Sequence, residues 1–178
     1  YTANSIRDFV LRAMDLLLII LTAVITLPLM LLVALAVFMQ DGRPIIFRQQ
    51  RAGLRGEPFT LYKFRSMVRE AEEDGQARWA SRDDSRITRV GAVIRKYRLD
   101  ELPQLINVLK GDMSLVGPRP ERPEFVVQLG EDIPYYAERH CVKPGITGWA
   151  QMSYPYGSSE EDAEAKLAYD LYLSLIHI

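Results

Sequence analysis

Leu16-Leu17-Leu18-Ile19-Ile20-Leu21-Thr22-Ala23-Val24-Ile25-Thr26-Leu27-Pro28-Leu29-Met30-Leu31-Leu32-Val33-Ala34-Leu35-Ala36-Val37-Phe38-Met39 carries no charged side chain. At ~1.5 Å per residue this stretch reaches ~36 Å as a helix, enough for a ~30 Å hydrocarbon core. It is too long for the apolar part of a secretory signal, and no small-residue cleavage site follows it. The run therefore predicts insertion into a membrane. Pro28 stands at its middle, where it removes a helical hydrogen bond and crowds the preceding turn. Thr26 is placed to satisfy a freed carbonyl. Arg7 and Arg12 precede the run, and Arg43, Arg48, Arg51 and Arg55 follow it, so flanking charge sets no strong orientation. On the residues alone two geometries stay open: a single span that tolerates its proline, and a kinked helix that enters and leaves by one face.

Outward from this run the chain reads as one compact domain. Its 178 residues are 48% hydrophobic and 25% charged, with 22 basic and 23 acidic side chains, which allows a real core and excludes a polycation of the histone type. The single cysteine, Cys141, excludes an internal disulfide and a cysteine-based zinc cluster. With only His140 and His177 besides, any metal is expected to be a hard cation on carboxylates or phosphates. Ile45–Phe47 and Phe59–Phe64 are predicted as the strands of a β-hairpin, with Ala52–Gly56 as its turn. A polar helix is predicted over 68–79, with Glu70, Glu72, Glu73 and Asp74 in or near its early turns. Ile87, Val90, Ile94 and Tyr97 recur at helical spacing, with Arg89, Arg95, Lys96 and Arg98 opposite. That pattern fits a basic helix on an anionic membrane surface and, equally, a solvated helix on a core. Further helices are predicted over Glu101–Leu109, near 121–129, and from Ser159 to Leu171 with Ser158 or Ser159 as N-cap. Gly117–Pro120 and Lys143–Gly148 read as loops.

The sharpest local pattern is Arg98-Leu99-Asp100-Glu101-Leu102-Pro103-Gln104-Leu105. Proline is tolerated in a first helical turn, which puts Asp100 near a helix N-cap. A capping carboxylate accepts backbone N–H bonds, feels the positive helix end and is expected to stay ionised. Beside a bound phosphate and a divalent cation it could attack phosphorus, leaving Glu101 to hold the metal or handle a proton. An ordinary capped helix is the competing reading. Arg119, fixed between Pro118 and Pro120, offers a planar fork suited to phosphate. Arg51, Lys63, Arg65, Arg95 and Arg98 are the other candidates for a diphosphate pocket, against the alternative of solvated surface charge. Gly53-Leu54-Arg55-Gly56 lacks the spacing of a P-loop, no Gly-x-Ser-x-Gly elbow occurs, and no nucleic-acid-binding pattern accompanies the basic residues. His140 stands alone and reads as structural.

Five blocks stand in order: Phe47-Arg48-Gln49-Gln50-Arg51-Ala52-Gly53; Lys63-Phe64-Arg65-Ser66-Met67; Leu99 through Leu105; Gly111-Asp112-Met113-Ser114-Leu115-Val116-Gly117-Pro118-Arg119-Pro120; and Lys143-Pro144-Gly145-Ile146-Thr147-Gly148-Trp149-Ala150-Gln151. Over about residues 5–172 the chain resembles the bacterial monotopic polyprenyl-phosphate phosphoglycosyl transferases, the priming sugar transferases of exopolysaccharide and O-antigen assembly. The resemblance implies transfer of a sugar 1-phosphate from a UDP-sugar to undecaprenyl phosphate, with release of UMP. It implies two steps through a phosphosugar on an aspartate, and a requirement for Mg²⁺. Carried over, Asp100 is the nucleophile and a metal ligand, and Glu101 is its partner with metal or acid/base duty. Arg51, Lys63, Arg65, Arg95 and Arg119 are then phosphate-binding and structural cations, and Asp170 matches an acid in the family's C-terminal helix. It also implies an α+β, mainly helical fold. A re-entrant membrane helix broken at Pro28 leaves a small catalytic domain, with its short hairpin and amphipathic interfacial helices, on the cytoplasmic face of the inner membrane. Leu27 stands where the family often has Ser.

The expected organisation is a re-entrant helix with flanks over 1–42 and a catalytic domain over 43–172. The chain opens at Tyr1 without a methionine, as a piece of a longer protein would. Leu173-Ser174-Leu175-Ile176-His177-Ile178 has the look of a translated sequencing adapter and is set aside as a tail, with a natural apolar tail as the alternative. Two other functions compete: a catalytically silent, membrane-anchored scaffold that binds polyprenyl phosphate, and a hydrolase of the nucleotide sugar. Expected partners are the UDP-sugar, undecaprenyl phosphate and membrane lipid, with no nucleic acid. The transferred sugar and homo-oligomerisation are left open.

Overall fold

The computed structural model describes residues 2–68, 84–154 and 160–176. Helix α1 (Thr2–Asp41) contains the whole apolar run, with Pro28 inside it. Its central apolar side chains face outward, from 64% exposed at Leu27 to 81% at Val24. Among the described residues nothing covers them. One stripe of the same helix faces the domain instead, carrying Asp15, Ile19, Val33 and Val37. Ile19 joins a core of Leu61, Val108 and Met113, and Val33 and Val37 join a second core with Phe64 and Ile94.

Polar contacts tie down both ends of α1. The Arg12 guanidinium donates to the carbonyls of Val108 and Leu109, and Asp15 accepts from the Ser114 hydroxyl at 2.8 Å and the Leu115 amide at 3.2 Å. At the far end Gln40 Oε1 accepts from the Val90 amide at 2.8 Å. Helix ends leave carbonyls without intrahelical partners. Arginines serve two such ends here: Arg12 the end of α3 (Gln104–Lys110), and Arg65 the carbonyls of Asp41 and Gly42.

The hairpin is present as expected. β1 (Ile46–Ala52) pairs antiparallel with β2 (Pro58–Phe64), from Ile46 opposite Phe64 to Ala52 opposite Pro58. A helix α2 (Arg89–Lys96) follows, capped by Thr88, whose hydroxyl accepts from the Gly91 amide at 3.0 Å. It is shorter than the spacing of Ile87, Val90, Ile94 and Tyr97 predicts, and Tyr97 lies exposed beyond it rather than on an apolar face. α3 starts at Gln104, not Glu101, and ends at Gly111 with φ of 94°, a left-handed value that glycine adopts without strain.

A second sheet is present that the sequence did not predict, with one strand inside the expected Lys143–Gly148 loop. β3 (Ser114–Val116) runs parallel to β4 (Gly145–Thr147), with Ser114 opposite Gly145 and Val116 opposite Thr147. Helix α4 (Pro123–Asp132) packs with α6 (Glu160–Ile176) around Leu129, Ile133, Tyr136 and Leu167. Between them lie a 3-10 segment, Tyr136–Cys141, and a short helix α5 (Trp149–Ser153), neither expected from sequence. α6 continues past Leu171, and Leu173 is buried. The helix expected over 68–79, except for Val68, and the Ser158/Ser159 cap lie outside the described residues.

Candidate active site

Asp100 and Glu101 sit in a 3-10 turn, Leu99–Glu101, between α2 and α3. The chain enters that turn through Arg98 with φ of 54°, an uncommon conformation for a non-glycine residue. The expectation that Asp100 caps α3 is not met: the residue at that cap is Pro103, with no side-chain cap bond. Burial, and then the adjacent Glu101 charge, push Asp100 above the usual carboxylate range, against the opposing pull of Lys63 and Arg95. Burial also pushes Glu101 upward. Arg119, Lys63 and Arg98 outweigh that effect and hold it below its ordinary value. The two neighbouring carboxylates are therefore driven in opposite directions.

Their partners differ as well. Glu101 Oε1 accepts from Arg119 Nη2 at 2.8 Å, and Arg98 lies 3.9 Å from Oε2. Among the described residues, Asp100 forms no hydrogen bond or ion pair with another side chain. The side chains of Lys63, on β2, and Arg95, in the last turn of α2, are likewise without a hydrogen bond or ion pair among the described residues. Their charges nonetheless act on Asp100. Burial, then Arg119, lower the Lys63 ammonium to about 8, so a cation is held where water stabilises it poorly. An anion would restore that stabilisation.

The remaining predicted cations fall elsewhere. Arg119 bridges the dyad to α5, donating from Nη1 to Gln151 Oε1 at 3.3 Å. Arg51 donates to the Pro120 carbonyl at 3.1 Å and to Gln49 Oε1 at 2.6 Å, and stands 3.6 Å from Glu121. It braces the Arg119 loop, although its charge is felt at Lys63. Arg65 is a correction: it is 6% exposed and turned onto the end of α1, where the orphan carbonyls of Asp41 and Gly42 hold it. Asp170 is buried in an ion pair with Arg139 at 2.7 Å. His140 is buried too, and burial followed by Arg139 lowers it to about 4, so it is neutral at physiological pH. Gln151 and Arg139 were not singled out from sequence. The one available signal was that Gln151 closes the fifth of the ordered blocks.

Among the described residues no group of three or more His, Cys, Asp or Glu side chains converges as a metal cage. The adjacent Asp100 and Glu101 nevertheless suit Mg²⁺, which commonly takes one or two carboxylates and completes its shell with substrate phosphate and water.

The described residues thus set a carboxylate pair in an arginine- and lysine-rich surrounding, in a chain with one long apolar helix. The chain belongs to the bacterial sugar transferase family, which matches residues 6–176. It is 47% identical over 169 residues to an Aeromonas hydrophila UDP-N-acetylgalactosamine-undecaprenyl-phosphate N-acetylgalactosaminephosphotransferase, covering 95% of this chain and 40% of that protein. It is 44% identical over 146 residues to the UDP-glucose:undecaprenyl-phosphate glucose-1-phosphate transferase of Xanthomonas campestris pv. campestris, covering 81% of this chain and 30% of the relative. The protein of that same description from Escherichia coli (strain K12) is 42% identical over 170 residues, covering 94% and 36%. The chain thus spans well under half the length of these relatives.

Proposed function

We propose that the chain transfers a sugar 1-phosphate from a UDP-sugar to undecaprenyl phosphate, with Asp100 as the nucleophile. The observation that carries this reading is the contrast within the dyad. Glu101 is engaged by Arg119 at 2.8 Å, whereas among the described residues the Asp100 side chain has no partner and Lys63 and Arg95, whose charges act on it, have none either. An Asp100 oxygen attacks the sugar-bearing phosphorus of the donor. The new O–P bond forms as the bond from that phosphorus to the bridging oxygen breaks, and UMP leaves with the bridging oxygen. Undecaprenyl phosphate then attacks the same phosphorus through an oxygen of its own, and the Asp100 carboxylate is released. Lys63, Arg95 and Arg119 hold the phosphate oxygens, and the Glu101 contact fixes the Arg119 fork. Asp100 and Glu101 would hold Mg²⁺ together with the donor's diphosphate, whose charge the ion neutralises.

The membrane geometry supports a lipid acceptor. Arg12 bonds to the end of α3 and Gln40 to the start of α2, so roughly 28 residues, or ~42 Å of helix, lie between two anchor points on one domain. A simple span would carry those points to opposite sides of a ~30 Å core and strand the polar domain in hydrocarbon. We therefore read α1 as re-entrant, bent at Pro28, with the domain on the face where nucleotide sugars occur, the cytoplasmic side of the inner membrane. Val93 on α2, and Ile106 and Leu109 on α3, are exposed apolar groups that suit helices lying in the interface, with Arg89, Lys96 and Lys110 at the headgroups. Relatives of similar identity are named for N-acetylgalactosamine and for glucose, so likeness does not choose the sugar. UMP release measured with a panel of UDP-sugars tests the reading. Mg²⁺-dependent release with at least one donor, lost in Asp100→Asn, is expected; undiminished turnover by Asp100→Asn contradicts it.

A further inference from the structure

The loop that carries Arg119 is held at four successive carbonyls by four different donors. Pro118 O accepts from the Gly145 amide at 2.9 Å, Arg119 O from Arg139 Nη2 at 3.1 Å, Pro120 O from Arg51 Nη1 at 3.1 Å, and Glu121 O from the Ala52 amide at 2.9 Å. Arg139 is the contact made on the residue whose side chain reaches the dyad. Both terminal nitrogens of its guanidinium are engaged: Nη1 donates to the Tyr136 hydroxyl at 2.6 Å, and Nη2 donates to Asp170 Oδ2 at 2.7 Å as well as to the Arg119 carbonyl. The Tyr136 ring lies 5.0 Å from its guanidinium carbon.

We propose that Arg139 is a positioning residue for Arg119, fixing the Arg119 backbone through a guanidinium that Asp170 and Tyr136 hold still. The inference rests on the proposed reaction, in which Arg119 contacts donor phosphate. Two physical points favour it over a purely structural ion pair. The Arg139 and Asp170 side chains are 7% and 2% exposed, and a buried pair returns little net stability for its desolvation, so stability alone is a weak reason to keep it. The three acceptors are also divided between two nitrogens, Nη1 and Nη2, a spread that a planar guanidinium spans and the single nitrogen of a lysine ammonium does not. The contacts form a continuous series from α6 to the dyad: Asp170, Arg139, the Arg119 backbone, the Arg119 fork, and Glu101. A shift of about 1 Å in such a fork is enough to cost on the order of 100-fold in rate.

The test is a double-mutant cycle on UMP release, with thermal melting of every variant. Arg139→Lys keeps the charge opposite Asp170 and gives up the fork. It is expected to melt within a few degrees of wild type and to lose on the order of 30-fold in kcat/KM. In an Arg119→Lys background the same change is expected to cost less than about threefold, because the group it positions has already been replaced. Equal losses in both backgrounds, or a kcat/KM within about threefold of wild type for the single variant, overturn the proposal. If Arg139→Lys does not fold, Tyr136→Phe removes one contact and leaves the ion pair, and the same comparison is made with it. If the wild-type chain releases UMP from no donor, the reading of the reaction fails. Positioning is then decided by amide hydrogen exchange at Arg119 and Glu121, which the variant speeds at unchanged melting temperature if the inference holds and leaves unaltered if it does not.

Discussion

In the proposed reaction Lys63 gives up stability for phosphate binding. Its ammonium is lowered to about 8 from 10.5, so the folded state binds fewer protons at this group than the unfolded chain between those two values. Stability is therefore reduced in full below about pH 8 and recovers as pH rises toward 10.5. Lys63→Met is expected to raise stability at pH 7 by about 1–2 kcal/mol, measured by denaturant unfolding, while weakening donor turnover. Phosphate binding needs the charged form, so kcat/KM is expected to fall as pH rises through about 8. Asp100 follows the same logic with the opposite charge. Its raised value means that ionisation opposes folding, and Asp100→Asn is expected to melt no lower than wild type at neutral pH while losing turnover. A variant that lost activity through unfolding would melt lower. At this scale the sequence put Asp100, Glu101, Lys63 and Arg119 on ordered motif blocks and Arg95 on the basic helix before the dyad, and the structure sets these charges close enough to act on one another. Arg65 and Arg139 were misjudged or missed for a common reason. A guanidinium looks the same in sequence whether it faces a phosphate or an orphan carbonyl, and the carbonyls these two serve lie 23 and 20 residues away.

The pairing of β3 with β4 sets the origin of the Arg119 loop, and it depends on glycine for space. A Cβ added at Gly145 would lie 2.0 Å from the Gly117 nitrogen, and one added at Gly117 would lie 2.4 Å from the Lys143 carbonyl oxygen. Neither neighbour is a flexible side chain. Gly145→Ala is expected to cost about 3 kcal/mol or more, read from the denaturation midpoint, with loss of turnover as the loop moves. The hairpin and the apolar helix were legible because each has a strong local period or run. The parallel pair was not: three-residue strands carry no periodic signal, and Lys143–Gly148 looks like turn chemistry until the backbone of 114–117 lies beside it. The start of α3 was misread for a related reason. Pro103 permits either an N-cap at Asp100 or a 3-10 turn before it, and the left-handed Arg98 belongs to the second.

Across the molecule, α1 is part of the domain's core as well as its hydrophobic surface. Ile19, Val33 and Val37 are buried against the domain, and both ends are hydrogen-bonded to it. Cys141 is free and exposed on that domain, which gives a built-in marker of its side. In oriented membrane vesicles, cysteines introduced at Arg7 and Arg48 in a Cys141→Ser background are expected to react with an impermeant maleimide from one face only. That face should be the one from which Cys141 itself reacts in the parent chain; labelling of the two positions from opposite faces would establish a span. The proposed role of Asp100 as the nucleophile rests on its lack of a side-chain partner among the described residues. Intact-mass spectrometry of the protein with Mg²⁺ and a panel of UDP-sugars, without lipid acceptor, tests this most directly. A mass increase of one phosphosugar, absent in Asp100→Asn, is the expected result; an adduct that persists in Asp100→Asn, or UMP release by folded protein with no adduct at any time point, would contradict it.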